Sequence, residues 1–291
     1  MNKPVITHYA ATEQMERKEN QDFFFADPKS LLYLVADGMG GYEGGAFASR
    51  FASHLTGEMV KLLGAITDPD PEDTMLSDEE RHFTDDYTAL LHSIVRMVNK
   101  ELNDEGKRLA YKGMGTTLVF IFFRKNNAYI LNLGDSPCYR YSEGSLVQIT
   151  RSHSKVDDMV REGVISKEEA MDHPESNIVR IWLGGKKDGA WADINIIPIY
   201  KNDRFLLCTD GVSKMLTDKK IESFLKLKKP KEAIDGILDA VKNAPHKHRS
   251  HGKTVLKDNA TAMIVDVVGI PEKDVEKGFS RNVQGDDTIL P

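Results

Sequence analysis

Cysteine occurs only twice in the 291 residues, at Cys138 and Cys208. That excludes a disulfide framework and a cysteine-built zinc site, and it makes a reducing, cytoplasmic setting the expectation. Long apolar runs are missing too. Leu118–Phe123 is among the longest, far too short to span a bilayer, so no membrane partner is expected. The opening residues, Met1 to Val5, lack the apolar core of a secretion signal. A net charge of −6 weighs against a nucleic-acid surface. No internal repeat occurs. No G-x-x-x-x-G-K-[ST] loop is present, nor a kinase lysine with a His-Arg-Asp set, which leaves nucleotide binding a poor reading.

What is present suits a globular chain with a substantial core: 40% hydrophobic and 29% charged residues. The stretch from Leu31 to Gly41 concentrates the chemistry. An apolar, partly β-branched run reads as a buried strand, and it stops at Asp37, followed by Gly38, Gly40 and Gly41. Such a strand would hold one carboxylate rigidly, and the glycines would let a bulky ligand approach the backbone. Asp-Gly alone is more often a plain turn. The same ending recurs, however, at Thr209-Asp210-Gly211, and Lys257-Asp258-Asn259 precedes a further apolar run. Lone carboxylates at strand ends, far apart in sequence, are what a hard-cation site needs.

Periodicity supplies the frame. Strands are expected over 4–11, 23–25, 118–123, 128–133, 138–141, 146–150, 193–200, 204–208 and 259–268. Hairpin turns fall at 125–127 and 142–144. Amphipathic helices are expected over 43–63, with Ala46, Phe47, Phe51, Leu55, Met59, Leu62 and Leu63 on one face, and over 84–109. Two more follow at 218–227 and 230–241. The acidic, proline-punctuated segment 68–73 reads as a solvated loop, and short helical pieces over 156–182 read as a flap inserted among strands. This is not βαβ alternation, so an α+β domain of stacked antiparallel sheets covered by helices fits best.

Taken in order, the motifs are Arg17-x-x-Asn20-x-Asp22, Val35 to Gly41, Gly113-x-Gly115-Thr116-Thr117, and Asn132-x-Gly134-Asp135-Ser136. His153-Ser154, His173-Pro174, Thr209-Asp210-Gly211 and Asp258-Asn259-Ala260-Thr261 complete the set. Each is weak alone. Together, from Arg17 to about Asp266, they resemble the metal-dependent Ser/Thr protein phosphatases of type 2C in their bacterial-style variant.

The resemblance implies a four-layer αββα sandwich: two antiparallel sheets packed together, flanked by antiparallel helix pairs, with a helical flap at about 154–185. It implies a phosphatase domain over 1–268 and a polar tail over 269–291. Two Mn²⁺ or Mg²⁺ ions are implied, bridged by Asp37, with Gly38 lending a carbonyl and Asp210 and Asp258 completing one ion. Asp135 would share a weaker third ion with Asp210. Asp22 would hold metal-bound water, and Arg17 would bind the substrate phosphate. The chemistry agrees. Two divalent ions lower the pKa of a shared water, giving a bridging hydroxide, and offset phosphoryl charge. Oxygen ligands suit Mg²⁺ and Mn²⁺ rather than Zn²⁺. A guanidinium forks onto two phosphate oxygens at once.

The implied activity is hydrolysis of phosphoserine and phosphothreonine in proteins, opposing a Ser/Thr kinase, with that kinase or its targets among the partners and the chain acting as a monomer. An alternative is a pseudophosphatase, a regulatory binding module that keeps the fold without general activity. A dedicated phosphatase for one partner, selected through the flap, is a third reading. The chain also departs from the pattern: Gln21 stands where many members carry Glu, Met39 where many carry His, Pro137 where Arg is frequent, and Ser152 where Asp is frequent. His153 and His173 read as structural, and the basic tract 246–253 as a mobile loop. Cys208 reads as simply buried.

Overall fold

A computed structural model describes residues 3–67, 87–166, 169–170, 173–185, 191–246 and 254–270. Its centre is β3 (Leu32–Met39), in which every residue up to Ala36 is buried. Leu32, Leu34 and Ala36 face a helical layer, while Tyr33 and Val35 face a second sheet. β5 (Leu118–Arg124) repeats the division, with Leu118, Phe120 and Phe122 on one side and Val119, Ile121 and Phe123 on the other. A strand covered on both faces reads as a continuous apolar run, yet its period of two still decides which layer each side chain enters.

One sheet has the order β2 (Asp22–Asp27), β3, β5, β6 (Asn127–Leu133), β9 (Asp193–Pro198), and the short β4 (Gly115–Thr116) pairs with the end of β3. The other runs β1 (Val5–Glu13), β11 (Ala260–Gly269), β10 (Arg204–Cys208), β7 (Cys138–Ser142), β8 (Ser145–Gln148). Every pairing within them is antiparallel. At the β7–β8 hairpin Glu143 and Gly144 both take left-handed φ values, 51° and 82°, as a two-residue type I′ turn demands.

Helices α1 (Tyr42–Thr67) and α2 (Tyr87–Arg108) cover the first sheet, burying Leu91, Val95, Val98 and Leu102 of α2. α3 (Lys155–Arg161) lies in the flap. The short α4 (Asp210–Ser213), with α5 (Asp218–Leu225) and α6 (Pro230–Asn243), covers the second sheet through Val212, Ile221, Ile234, Ile237 and Val241. The order is therefore helices, sheet, sheet, helices, the αββα arrangement expected. Buried Arg204 fastens the last layer: it pairs with Asp266 through two 2.7 Å bonds and donates to the carbonyls of Leu225, at the end of α5, and of Lys228 just after it.

Two expectations need correction. β3 does not stop at Asp37 but continues through Gly38 and Met39, because β4 extends its ladder. On α1 the most buried side chains are Ala48, Ser49, Ala52, Ser53, Thr56 and Val60, whereas Leu62 is 56% exposed and Phe47, Phe51, Leu55 and Met59 are only partly buried. Small residues bring the helix close to β2 and β3; at Gly57 an added Cβ would come within 2.6 Å of the Phe25 ring. The loop expected at 68–73 and nearly all of the tail lie outside the described residues.

Candidate active site

The register of β2 and β3 sets Asp22 directly opposite Asp37. The Gly-x-Gly-Thr-Thr motif then fixes the Asp37 backbone. Its N–H donates to Thr117 Oγ1 (3.0 Å), and its carbonyl accepts from Thr117 N (2.8 Å) and Thr116 Oγ1 (2.9 Å). Thr117 Oγ1 also pairs with Ser136 Oγ at 2.8 Å, which joins the Asn-x-Gly-Asp-Ser loop to the same point. Gly38 is needed for close packing: an added Cβ would lie 2.1 Å from the Gly45 carbonyl oxygen and 2.6 Å from that of Gln21. Gly40, at φ 112°, would strike the Gly113 carbonyl. At both positions the missing side chain makes room for protein backbone rather than for a ligand, contrary to the expectation from sequence.

Asp22 is buried, and its Oδ2 accepts from Thr209 Oγ1 and Thr261 Oγ1, both at 2.8 Å. Its Oδ1 is buried without a partner. Asn259 anchors the Arg17–Asp22 loop by donating to the Gln14 and Glu19 carbonyls and accepting from Gln21 N at 3.0 Å. Gln21 Nε2 donates to the Gly41 carbonyl at 2.8 Å, so this amide supports the glycine turn.

Asp210 opens α4, and Gly211 lets that turn sit against Asn259, whose carbonyl oxygen a Cβ would meet at 1.9 Å. Lys214 Nζ donates to Asp210 Oδ2 (2.5 Å) and Asp135 Oδ2 (2.9 Å). Asp210 Oδ1 is buried and unpartnered. Arg17 donates to Asp258 Oδ2 at 2.5 Å, with both side chains nearly half exposed. The structure thus brings Arg17, Asp22, Asp37, Asp135, Asp210 and Asp258 to one end of the sandwich, linked through these bonds and their mutual fields.

Those fields are strong. Burial raises the Asp37 carboxyl well above its ordinary pKa, and the charges of Asp22, Asp210, Asp258 and Asp135 push it further. Burial brings Asp22 up to about 7, against the pull of its two hydroxyl donors. Asp135 is raised by burial, with Lys214 opposing, and Asp258 is raised by burial and by Asp210, with Arg17 opposing. Burial would lift Asp210 too, but the Lys214 ammonium, through its charge and its hydrogen bond, brings it below its usual value. Carboxylates crowded beyond what two cations neutralise favour proton uptake or a further cation.

Among the described residues no three acidic, imidazole or thiol groups form a ready-made cage. The fit to divalent ions rests on donor chemistry instead. All candidate ligands are oxygens, and Asp22 Oδ1 and Asp210 Oδ1 are buried acceptors with no donor. Such orphans are costly unless a cation or water meets them, and an all-oxygen set suits Mn²⁺ or Mg²⁺.

The flap is fastened at both ends. His153 accepts from Gly134 N through Nδ1 (3.2 Å), and its Nε2 lies 3.2 Å from Asp193 Oδ2. Leu183 exchanges two 2.9 Å backbone bonds with Thr116. His153 is therefore a structural residue, as expected. Cys138 and Cys208 are both buried, and burial pushes both thiols up, so neither offers a thiolate nucleophile. Lys214 escaped the sequence reading. Its position four residues after Asp210, on a turn of helix, was the available signal.

Two packed antiparallel sheets between helical layers, with carboxylates gathered at one end, define a class of oxygen-ligated metallohydrolase. Residues 13–264 match the family described as protein phosphatase 2C. The chain belongs to the protein phosphatase 2C family. It is 33% identical to the serine/threonine phosphatase stp of Listeria monocytogenes, over 86% of each chain. It is 28% identical to the serine/threonine protein phosphatase PstP of Mycobacterium tuberculosis, over 98% of this chain and 50% of that one. The crystal structure of the M. tuberculosis phosphatase superposes with a TM-score of 0.72 at 28% identity, covering 90% of this chain and 99% of that chain. A PstP catalytic domain in complex with two manganese ions superposes with a TM-score of 0.69 at 26% identity, covering 91% and 99%.

Proposed function

We propose that this chain hydrolyses phosphoserine and phosphothreonine monoesters in proteins at the acidic end of the sandwich. The observation that carries the reading is the gathering of Asp22, Asp37, Asp210 and Asp258 with two buried carboxylate oxygens, Asp22 Oδ1 and Asp210 Oδ1, left without a donor. In this reading Asp37, the Gly38 carbonyl, Asp210 and Asp258 would hold two divalent ions, Mn²⁺ or Mg²⁺. Bound there, the ions would supply activated water and offset charge on the phosphoryl group. Asp22 orients water through its free Oδ1. Thr116, Thr117 and Ser136 hold Asp37 in place for that role. Arg17 turns from Asp258 to the substrate phosphate, which its fork geometry suits.

Retention of every candidate carboxylate speaks against a pseudophosphatase, which has no need to keep a cluster so costly to bury. We assign residues 1–268 to the phosphatase domain, supported by the family match and by β11 ending at Gly269, and 269–291 to a tail. The flap, about 154–185, is assigned to substrate selection, because its far end is bonded to the same threonine that holds Asp37. We further assign a monomer that reverses Ser/Thr kinase signalling in the cytoplasm, with the kinase or its targets as substrates. Two free thiols suit that compartment.

Asp37→Asn tests the site. The variant is expected to keep the circular dichroism of the parent and lose Mn²⁺-dependent hydrolysis of a phosphothreonine peptide. Full activity in that variant would reject the assignment.

A further inference from the structure

Lys214 has no part in the chemistry described so far, yet it sits inside the acidic end. It follows directly on α4, four residues after Asp210, and its N–H donates to the Asp210 carbonyl at 2.8 Å. The ammonium is thereby placed between two carboxylates from separate loops, 2.5 Å from Asp210 Oδ2 and 2.9 Å from Asp135 Oδ2. Asp135 exposes only 5% of its side chain and Asp210 14%.

A divalent cation shared by Asp135 and Asp210 through their Oδ2 atoms would need the oxygens that Lys214 already holds. Hard cations sit about 2.0–2.6 Å from their oxygen ligands, which would put such an ion in contact with the ammonium. Two like charges at that distance repel one another strongly. The third-ion role expected of Asp135 therefore does not fit this chain.

We propose that Lys214 is a built-in monovalent counter-cation that takes the place of a divalent ion between Asp135 and Asp210. It acts as a positioning residue. By engaging Oδ2, it leaves the buried and unpartnered Asp210 Oδ1 as the single oxygen offered to a divalent ion. The protein then takes two divalent ions and not three, and activity rises with Mn²⁺ in one saturating phase. This rests on the reading that Asp37, Asp210 and Asp258 hold divalent ions.

Calorimetric titration of the metal-stripped full chain with MnCl₂, with the metal count checked by elemental analysis, tests it. The parent is expected to take up two ions. Lys214→Met, which keeps length and removes charge, is expected to take up a third, weaker ion, and Asp135→Asn in that background should remove it again. Three ions in the parent, or an unchanged count in Lys214→Met, would overturn the proposal. If Lys214→Met fails to fold, Asp135→Asn in the parent decides: an unchanged count of two supports the proposal, and loss of an ion rejects it. No binding at all by the parent would refute the metal reading itself, a result distinct from a count of three.

Discussion

The Thr261 hydroxyl donates to Asp22 Oδ2 at 2.8 Å, and so joins β11 of one sheet to β2 of the other beneath the acidic end. Thr209 Oγ1, just after β10, donates to the same oxygen and accepts from Thr261 N at 3.0 Å. Asp22 thus has two jobs, one per oxygen. Oδ2 ties the sheets together, and Oδ1 is left for whatever the site holds.

Thr261→Val keeps shape but removes the donor to Asp22 and the 2.6 Å partner of the Thr12 hydroxyl. The loss of a hydrogen bond to a buried carboxylate costs about 1–3 kcal/mol. In a chain of this size each kcal/mol shifts the melting temperature by about 2–4 °C. The variant is therefore expected to melt a few degrees lower, as followed by circular dichroism, and to bind Mn²⁺ more weakly because Asp22 protonates more readily. An unchanged melting point would show that the two sheets do not depend on this bond.

The metal-free protein should become more stable as pH falls from about 8 toward 5. Asp22 is raised to about 7, and Asp37, Asp135 and Asp258 are raised as well, all with burial as the leading cause. An acid whose pKa is higher folded than unfolded binds more protons in the folded state between the two values. Stability then falls as pH rises through that window. Asp210 is shifted the other way, but its contribution is lost only near and below the ordinary carboxylate range. His8, lowered by burial, opposes the several raised carboxyls only in part. Mn²⁺ competes with those protons, so its stabilising effect should grow with pH. Thermal melts at several pH values, with chelator and with Mn²⁺, check both slopes; a metal-free melting point that rises from pH 5 to 8 would contradict the first.

The buried strands were legible as apolar runs, but the layer that each side chain enters was not, because the runs carry no polar alternation. In β5 the even-numbered residues enter the helix–sheet core and the odd-numbered ones the sheet–sheet core, and both cores lie within one uninterrupted hydrophobic segment. The acidic positions were legible through their motif order. What stayed hidden depends on partners distant in sequence. Nothing local to Thr117 shows that it meets Asp37 and Ser136, and Lys214 reads as an exposed helix charge until α4 is folded against the Asp135 loop. The glycines were misread for the same reason. Gly38 carries an ordinary negative φ, and its necessity comes from the Gly45 carbonyl, which only the packing of α1 brings near.

Gly38→Ala is accordingly expected to be severe. Its Cβ would fall 2.1 Å from the backbone oxygen of Gly45 and 2.6 Å from that of Gln21, neither of which belongs to a flexible side chain. Overpacking of this kind typically costs about 1–3 kcal/mol, and backbone obstacles place it at the upper end. Gly41→Ala, with nothing within 4 Å of the added carbon but a φ of 85°, should cost less, about 1 kcal/mol. Urea denaturation of both variants orders them. A milder effect at Gly38 than at Gly41 would mean that α1 can retreat from β3 without penalty.

Arg17 holds Asp258 at 2.5 Å, but the side chains are 46% and 43% exposed. Exposed pairs contribute at most about 1 kcal/mol. The guanidinium can therefore leave Asp258 for a phosphate at small cost, and removing it should hardly affect folding. Losing a charged hydrogen bond to substrate costs about 1.5–3 kcal/mol, so Arg17→Ala should lower kcat/KM on a phosphothreonine peptide by about 10–100-fold. The fall should appear mainly in KM, with Mn²⁺ affinity kept or tightened, because Asp258 is then freed for the metal. Arg17→Lys should recover only part of the loss, since an ammonium cannot fork onto two oxygens. If Arg17 served Asp258 alone, KM for the peptide would stay unchanged in Arg17→Ala.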